Sequence, residues 1–124
     1  MRWLVDGMNV LGSRPDGWWR DRDGAVHRLL VQLQRFAAGG ETVTLVLDGR
    51  PPPGLAEGEH GGVAVRYALH AGRGGADDRI VAEAAKDHRW QVVTSDRDLR
   101  ARVTALGATV EGASAFLARL PETS

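Results

Sequence analysis

The sequence predicts an α/β fold in which a mostly parallel sheet of about five strands is flanked by helices. Short apolar segments alternate with segments of helical periodicity along the chain, which is typical of parallel strands connected by helices. Three of the apolar segments are followed at the turn by an aspartate, as strands often are. The length of 124 residues fits one domain, so we expect a single domain over residues 1–124.

The first half of the chain contains two predicted strands separated by a long helix. Arg2–Val5 is apolar and ends at Asp6-Gly7, which indicates a buried strand. Apolar residues recur at helical spacing through Asp23–Ala38 and stop at Gly39-Gly40, which predicts a helix. Thr42–Leu47 is again short and apolar, so it is the second predicted strand.

The second half continues the alternation. The segment 49–62 is rich in Gly and Pro and predicts a surface loop, whereas Val63–Leu69 alternates as a half-buried strand does. The remaining predicted elements are a loop at Gly72–Gly75, helices at Ala76–Asp87, Asp98–Leu106 and Ser114–Leu120, and strands at Gln91–Thr94 and Ala108–Val110. Helices and strands therefore alternate to the end of the chain.

Composition excludes several classes of protein. The chain has no cysteine, which excludes a disulfide scaffold, a thiolate zinc site and a cysteine nucleophile. Its 16 basic and 16 acidic residues cancel, so a strong overall attraction to nucleic acid is not expected, although a local basic patch is compatible with this balance. Apolar segments fall short of the roughly 20 residues of a membrane span and no signal peptide is visible, so we expect a cytoplasmic protein without a membrane partner.

Aspartates occupy positions that the predicted fold brings to one edge of the sheet. Asp6, Asp48 and Asp96 each follow an apolar strand, and open α/β sheets bind ligands outside the carboxyl ends of their strands. Asp77 shares a helical face with residues that point at the sheet, whereas Asp78 lies about 100° further round and is expected to be more exposed. Each aspartate alone is better explained as a turn residue or a helix cap, but their coincidence at one edge favours a shared site.

A carboxylate cluster needs a counter-charge, because like charges at close range raise one another's pKa. Oxygen ligands without thiolate or imidazole suit Mg²⁺ or Mn²⁺. Such an ion lowers the pKa of bound water and stabilises charge on a phosphoryl group under attack. The residues therefore indicate metal-assisted hydrolysis of a phosphodiester, for which no side-chain nucleophile is required.

Four short motifs follow one another in a recognisable order. They are Leu4-Val5-Asp6-Gly7-Met8-Asn9-Val10, Val46-Leu47-Asp48, Gly75-Ala76-Asp77-Asp78-Arg79-Ile80 and Val92-Val93-Thr94-Ser95-Asp96-Arg97-Asp98-Leu99. Their order and spacing resemble those of NYN domains, a branch of the PIN-like nucleases. The stretch 12–19 is similar to that of actinobacterial members of the YacP-type NYN group, so the sequence looks closest to that branch.

This resemblance implies a PIN-like three-layer sandwich and a metal-dependent endoribonuclease that hydrolyses RNA with a metal-activated water. The acidic positions of the family correspond to Asp6, Asp77 and Asp96, which would be catalytic and would bind Mg²⁺ or Mn²⁺. The further candidate metal ligands are Asp98, Asp78 and Asp48.

Two polar residues beside the aspartates are candidates for supporting roles. Asn9 matches an asparagine of the family, and its amide could orient Asp6 or a metal-bound water. A turn that bonds its own backbone explains Asn9 equally well. Ser95 is expected either to help hold metal or phosphate or to cap the next helix.

The chain departs from the family pattern at three positions. Met8 stands where the family usually has an aromatic residue, which matters little to metal binding. Gly75 stands where Thr or Ser is common, so one hydroxyl contact is expected to be missing. Asp48 stands where many actinobacterial relatives have Glu, and its shorter side chain changes the geometry of any direct ligation.

Aromatic and basic residues near the predicted site are candidate RNA contacts. Trp18 and Trp19 are flanked by arginines, and we expect one of the two to be buried and the other available to stack on a base. The candidate RNA-binding residues are Trp18, Trp19, Arg14, Arg50, Arg73 and Arg97. A solvated charged surface explains each arginine at least as well. The predicted partner is RNA, with presentation by a ribosome left open.

Two other functions remain open at this point. One is a small-molecule phosphohydrolase, but the haloacid-dehalogenase arrangement needs an aspartate where Met8 stands. The other is a catalytically silent RNA- or ribosome-binding module, which would gain nothing from a cluster of carboxylates. No nucleotide cofactor is expected, because Gly72–Gly75 lacks the Gly-Lys-Ser/Thr ending of a Walker loop. The sequence does not indicate an oligomeric state.

Overall fold

Strands and helices alternate in the computed structural model, which describes residues 1–87 and 89–121. The strands are β1 (Arg2–Asp6), β2 (Thr42–Leu47), β3 (Gly58–His60), β4 (Val63–Tyr67), β5 (Trp90–Val93) and β6 (Thr109–Glu111). The helices are α1 (Gly7–Gly12), α2 (Arg22–Ala38), α3 (Gly75–Lys86), α4 (Arg97–Ala105) and α5 (Ala113–Leu117), and a 3-10 turn covers Trp18–Arg20. The predicted α/β class is confirmed.

The strands lie in one mostly parallel sheet in the order β3-β4-β2-β1-β5-β6. β1 pairs in parallel with β2 on one side and with β5 on the other, so that Val5 is the partner of both Leu45 and Val93. The chain leaves β1 towards β2 but leaves β5 towards β6, so the connections diverge between β1 and β5. Open α/β sheets bind their ligands at such a point, outside the carboxyl ends of the strands.

Alternate residues of the strands build two hydrophobic cores, one on each face of the sheet. In β1, Trp3 and Val5 pack with residues of α1, α2 and α5, whereas Leu4 packs with residues of α3 and α4. Three layers result, with the sheet in the middle. The same period of two places Asp6 on the face of Leu4, which is the face that α3 covers.

The long helix α2 shows how local sequence sets an element. The side chain of Asp21 caps its first turn by accepting from the backbone N–H of Gly24 at 3.0 Å. Leu29 and Leu33, one turn apart, are fully buried against the sheet, and the helix ends at Gly39. Among the described residues, no helix is both long and apolar enough to cross a membrane.

The structure adds three short elements to the predicted ones. α1 follows β1 without a loop and has no side-chain cap, so its six residues carry little helical signal. β3 lies inside the predicted loop and depends on antiparallel pairing with β4, a long-range contact that local composition does not reveal. The third is the 3-10 turn. The described part of the sheet therefore has six strands, where the sequence predicts about five.

Several predicted boundaries shift where the backbone turns. β4 ends at Tyr67 rather than Leu69, because the Leu69 N–H donates to the carbonyl of Gly75 at 3.2 Å and draws the chain out of the sheet. α3 consequently begins at Gly75, inside the predicted loop. α5 ends at Leu117 rather than Leu120, although Leu120 remains buried in the core.

Gly75 begins α3 directly against the loop that precedes the helix. A Cβ at this position would lie 2.2 Å from the backbone oxygen of His70 and 3.0 Å from the Cβ of Ala68. The hydroxyl residue that the resemblance leads one to expect here therefore has no room. The close approach of the loop explains why glycine occupies this position.

We expect Gly75→Ala to lower the free energy of unfolding by about 1–3 kcal/mol, the usual cost of overpacking. Urea denaturation would measure this as a lower midpoint. Gly12→Ala is the matched control, because Gly12 ends α1 and a Cβ there would meet nothing within 4 Å. Equal midpoints for Gly75→Ala and Gly12→Ala would contradict the prediction, because they would show that the loop before α3 shifts to accept a Cβ without loss of stability.

Candidate functional site

The carboxyl ends of β1 and β5 bring Asp6 and Thr94 together. Val5 and Val93 are register partners, so the residues that follow them are neighbours. Thr94 Oγ1 donates to Asp6 Oδ2 at 2.9 Å and accepts from the backbone N–H of Asp96 at 3.1 Å. One fully buried hydroxyl therefore links two of the predicted site aspartates.

Asp6 is a buried carboxylate, with 6% of its surface exposed. Burial is the main cause that raises the pKa of Asp6 from its ordinary 3.8 to about 6. The hydrogen bond from Thr94 opposes this rise, as does the backbone of Asn9, while the charges of Asp77 and Asp96 add to it. Asp6 thus lies close enough to both of the other predicted catalytic aspartates to feel their charge.

Asp77 approaches Asp6 from the first turn of α3 and is half-buried. Partial burial raises the pKa of Asp77, and the charge of Asp96 raises it further. Asp6, Asp77 and Asp96 therefore interact in all three pairs, and we call them the acidic cluster. The structure brings together the three residues that the sequence analysis places at the catalytic centre.

Asp96 is exposed and caps α4. Its Oδ1 accepts from the backbone N–H of Asp98 at 2.9 Å and from that of Leu99 at 3.1 Å. In the part of the chain that the structure describes, Oδ2 of Asp96 accepts no hydrogen bond. The capping role and a ligand role are thus compatible, because they use different oxygens.

Asn9 and Ser95 hold the backbone around the acidic cluster. Asn9 Oδ1 accepts from the N–H of Ser95 at 2.8 Å, so the amide ties α1 to the segment between β5 and α4. Ser95 Oγ accepts from the N–H of Ala113 at 3.0 Å and ties the same segment to the start of α5. The Asn9 side chain therefore bonds a distant backbone group rather than its own turn, and the Ser95 hydroxyl meets α5 rather than capping α4.

Asp78 is paired with cations. Its Oδ2 lies 2.8 Å from His70 Nε2, and its Oδ1 accepts from Arg102 Nη2 at 3.1 Å. The hydrogen bond with His70 is the largest cause that lowers the pKa of Asp78, followed by that with Arg102. Arg102 also lowers the pKa of Asp77, so this guanidinium lies beside the acidic cluster. Sequence reasoning missed Arg102 because helical spacing marks it only as an exposed residue of α4.

Asp48 and Asp98 flank the acidic cluster in different ways. Asp48 is half-exposed at the end of β2, and its charge raises the pKa of Asp77. Arg22 Nη2 lies 3.8 Å from Asp48 Oδ1 and also donates to the carbonyl of Asp48. Asp98 is exposed, and its backbone N–H donates to the side chain of Asp96. Asp48 is thus coupled to the cluster by charge, and Asp98 by the backbone.

The acidic cluster has the donor chemistry of a site for a hard cation. Its ligands are carboxylate oxygens, which suit Mg²⁺ or Mn²⁺. Burial is the largest cause that raises the pKa of Asp6 and of Asp77, and repulsion among the carboxylates adds to it. Within residues 1–87 and 89–121, however, no three acidic or imidazole side chains already stand in a metal-binding arrangement.

A comparison with family models decides the family. The model of the YacP-like NYN domain matches residues 3–124. The chain belongs to this family. Two crystal structures of Rae1 (YacP) from Bacillus subtilis, one of them a tryptophan-to-leucine mutant, resemble this NYN domain with TM-scores of 0.73 and 0.74. They are 23% and 22% identical to it, and the matches cover 95% and 94% of this chain and 72% of each Rae1 chain.

The comparison confirms the family and the fold that the resemblance implies. The YacP-like NYN family has a PIN-like nuclease fold, and the six-stranded, mostly parallel sheet between helices agrees with it. At this level of identity the Rae1 structures show the fold alone. No protein of curated function matches this chain.

The two adjacent tryptophans of this NYN domain have different environments. Trp18 is half-buried and packs against the core formed with α1 and α2. Trp19 is 62% exposed, with its ring edge-to-face against that of Trp18 at 6.2 Å between centroids. The sequence analysis predicts one buried and one available ring. The structure leaves Trp19 exposed, but Trp18 is only half-buried against the core.

The candidate arginines are not equivalent either. Arg14 is half-buried and donates to the side chain of Gln32, so its guanidinium is directed at α2. Arg73 and Arg97 are exposed, on the loop before α3 and at the start of α4. Arg50 is exposed and lines a cleft of about 510 Å³ together with Arg22, so these two cations lie beside Asp48.

The raised pKa of Asp6 predicts a pH-dependent effect of Asp6→Asn on stability. Asp6 binds its proton more tightly in the folded state, so its contribution to stability is fully present below about pH 3.8 and is lost as the pH rises through about 6. A shift of about two pH units corresponds to at most about 3 kcal/mol. Because asparagine does not titrate, the stability of Asp6→Asn relative to wild type should rise by up to that amount between pH 4 and pH 7.5.

Urea denaturation in EDTA across this pH range would measure the difference. Asp16→Asn is the matched control, since it removes an exposed carboxylate from the loop before the 3-10 turn. A difference between Asp6→Asn and wild type that stays constant with pH would contradict the prediction.

Proposed function

We propose that this YacP-like NYN domain is a metal-dependent endoribonuclease that hydrolyses RNA phosphodiester bonds with an activated water. The observation that carries the proposal is the acidic cluster at the point where the connections of the sheet diverge. Burial, with a further contribution from the charges of Asp77 and Asp96, raises the pKa of Asp6 to about 6, and a bound cation would stabilise these carboxylates in their charged forms. The nuclease fold of the family supports a phosphodiester as the substrate.

The bound ion would be Mg²⁺ or Mn²⁺, held by Asp6, Asp77 and Asp96. When bound, it would supply Lewis acidity, by lowering the pKa of water and by neutralising charge on the phosphate. We expect Asp48 and Asp98 to contribute through bound water. Asp78 is engaged with His70 and Arg102, so we assign it no ligand role.

The residues around the ion would have separate roles in the reaction. Thr94 and the backbone of Asn9 hold the carboxylate of Asp6 in place. Asp96 keeps Oδ1 on the helix cap and presents Oδ2. Arg102, beside Asp77, is a cation that can face the negative charge of a phosphate. Hydrolysis then joins the water oxygen to phosphorus, breaks the bond to the leaving ribose oxygen and returns a proton to that oxygen.

A catalytically silent RNA-binding module is the main alternative. If the protein only bound RNA, an uncompensated carboxylate cluster would lower its affinity, because the cluster repels phosphates. The cluster is therefore better explained by catalysis than by binding. The proposal includes RNA that a ribosome presents to the protein as a substrate.

Cleavage of a generic single-stranded RNA with and without Mn²⁺ tests the proposed activity. We expect cleavage that requires Mn²⁺ and falls by about 100-fold or more in Asp96→Asn, the size expected for one preorganised electrostatic group. Asparagine keeps the cap of α4, because Asn caps helices as well as Asp does, so this variant removes charge without loosening α4. Asp16→Asn should cleave as wild type.

Cleavage in EDTA, or full activity of Asp96→Asn, would contradict the proposal. If free RNA is not cleaved by wild type, the same comparison with RNA on translating ribosomes decides between an enzyme that needs its RNA presented and a silent module.

Metal binding has a test that does not depend on activity. A ligand that binds only the folded state stabilises it by about 2.7 kcal/mol at 100 times its Kd. We therefore expect Mn²⁺ to raise the melting temperature of wild type by several degrees and to leave that of Asp77→Asn nearly unchanged. Equal shifts in wild type, Asp77→Asn and the control Asp16→Asn would place the ion elsewhere.

A further inference from the structure

Trp19 is a large apolar side chain that the core does not use. It is 62% exposed on the 3-10 turn that precedes α2. Gly17 begins this turn with a φ of 70°, a conformation that favours glycine. The turn and its glycine therefore hold an indole at the surface.

Trp18 anchors that turn. Its ring packs against the core, and the edge of one indole meets the face of the other at an interplanar angle of 87°. Arg20 reaches over the Trp19 ring at 5.9 Å from the centroid. An exposed indole held by an anchored neighbour and flanked by a cation presents a rigid stacking surface at low entropic cost.

A cleft with two arginines begins three residues further along the chain. Arg22 and Arg50 line it with Asp23, Pro51 and Pro53, and its volume is about 510 Å³. Asp23 Oδ1 lies 3.8 Å from Arg22 Nη1, so the carboxylate partly offsets that charge. Arg22 Nη1 donates to the carbonyl of Arg50 at 3.4 Å, and its other terminal nitrogen donates to the carbonyl of Asp48. Arg22 therefore fixes the cleft, while the exposed side chain of Arg50 is less constrained.

The cleft leads to the acidic cluster. Asp48 bounds it through its contacts with Arg22, and the charge of Asp48 acts on Asp77. Arg22 thus connects the cleft to Asp48 and, through the charge of Asp48, to the acidic cluster, while Trp19 precedes Arg22 by three residues in the chain. The arginines can meet phosphates and the exposed indole can meet a base.

We propose that Trp19 is the stacking residue of a base-binding subsite and that the Arg22–Arg50 cleft carries the RNA backbone from it to the acidic cluster. This subsite rests on the proposed function, because it places the nucleotide relative to the bond that is cut. Stacking on an indole needs an unpaired base with a free face, which a duplex does not offer. The subsite therefore favours an unpaired nucleotide beside the cleavage site.

Binding of a labelled single-stranded oligouridine in EDTA tests the subsite without cleavage. We expect Trp19→Ala to raise the Kd about 5- to 100-fold, the range for one stacked base, and Trp19→Phe to keep most of the affinity. Val31→Ala is the matched control, because it removes another exposed apolar side chain, from the middle of α2. Both Trp19 variants should have the urea midpoint of wild type.

Arg50→Gln tests the cleft with the same probe. A lost phosphate contact should weaken the binding of single-stranded and duplex RNA alike and reduce the slope of log K against log salt by about 0.7 for the single strand. Trp19→Ala should weaken the single strand alone. Equal losses on duplex and single strand in Trp19→Ala would overturn the stacking role.

The outcomes separate this subsite from the proposed nuclease. If Trp19→Ala weakens binding but wild type cleaves under no condition, the subsite stands and the nuclease proposal falls. If wild type cleaves with Mn²⁺ while Trp19→Ala keeps its Kd and its KM, the subsite falls and the nuclease proposal stands. A loss in Val31→Ala as large as that in Trp19→Ala would also overturn the subsite.

Discussion

The hydroxyl of Thr94 is the contact on which the acidic cluster depends. It donates to the side chain of Asp6 and accepts from the backbone of Asp96, so one group at the end of β5 fixes residues of β1 and of the cap of α4. Only a hydroxyl can donate and accept in so small a volume. The arrangement requires the register of β1 and β5 to be kept to the residue, since a slip by one would turn Asp6 to the other face.

The acidic cluster contributes an unfavourable electrostatic energy to the folded state. Burial and like charges raise the pKa of Asp6 and of Asp77, which means that the folded state disfavours their charged forms. Two hydrophobic cores, on opposite faces of the sheet, offset this cost. Sites of this kind are expected where function rather than stability determines the residue, and a bound cation would relieve the repulsion.

The sequence predicts the centre of the molecule better than its periphery. β1, β2 and β5 are buried on both faces, so they appear as short apolar runs, and their terminal aspartates mark where they end. The convergence of Asp6 and Asp96 follows from parallel topology, and the helical face that Asp77 shares with buried residues of α3 brings the third carboxylate to them. The pairing of Asp78 with Arg102 depends on how α3 packs on α4, and the bond from Ala113 to Ser95 on where α5 begins. Neither contact leaves a local signal in the sequence, so the pairing of Asp78 with Arg102 could not be predicted.

A formal net charge of zero conceals a local separation of charge. Acidic side chains occupy the centre of the carboxyl edge, while Arg22 and Arg50 lie on the side of α2. Without a cation, the cluster would repel the same phosphates that these arginines attract, and the repulsion acts most strongly at the bond to be cut. A divalent ion would offset two of the three negative charges of the cluster and so weaken this repulsion. Both the position of the substrate and its cleavage would then depend on the same ion. In the absence of metal, RNA would bind at the cleft, but the carboxylates would repel the phosphate that is to be cleaved.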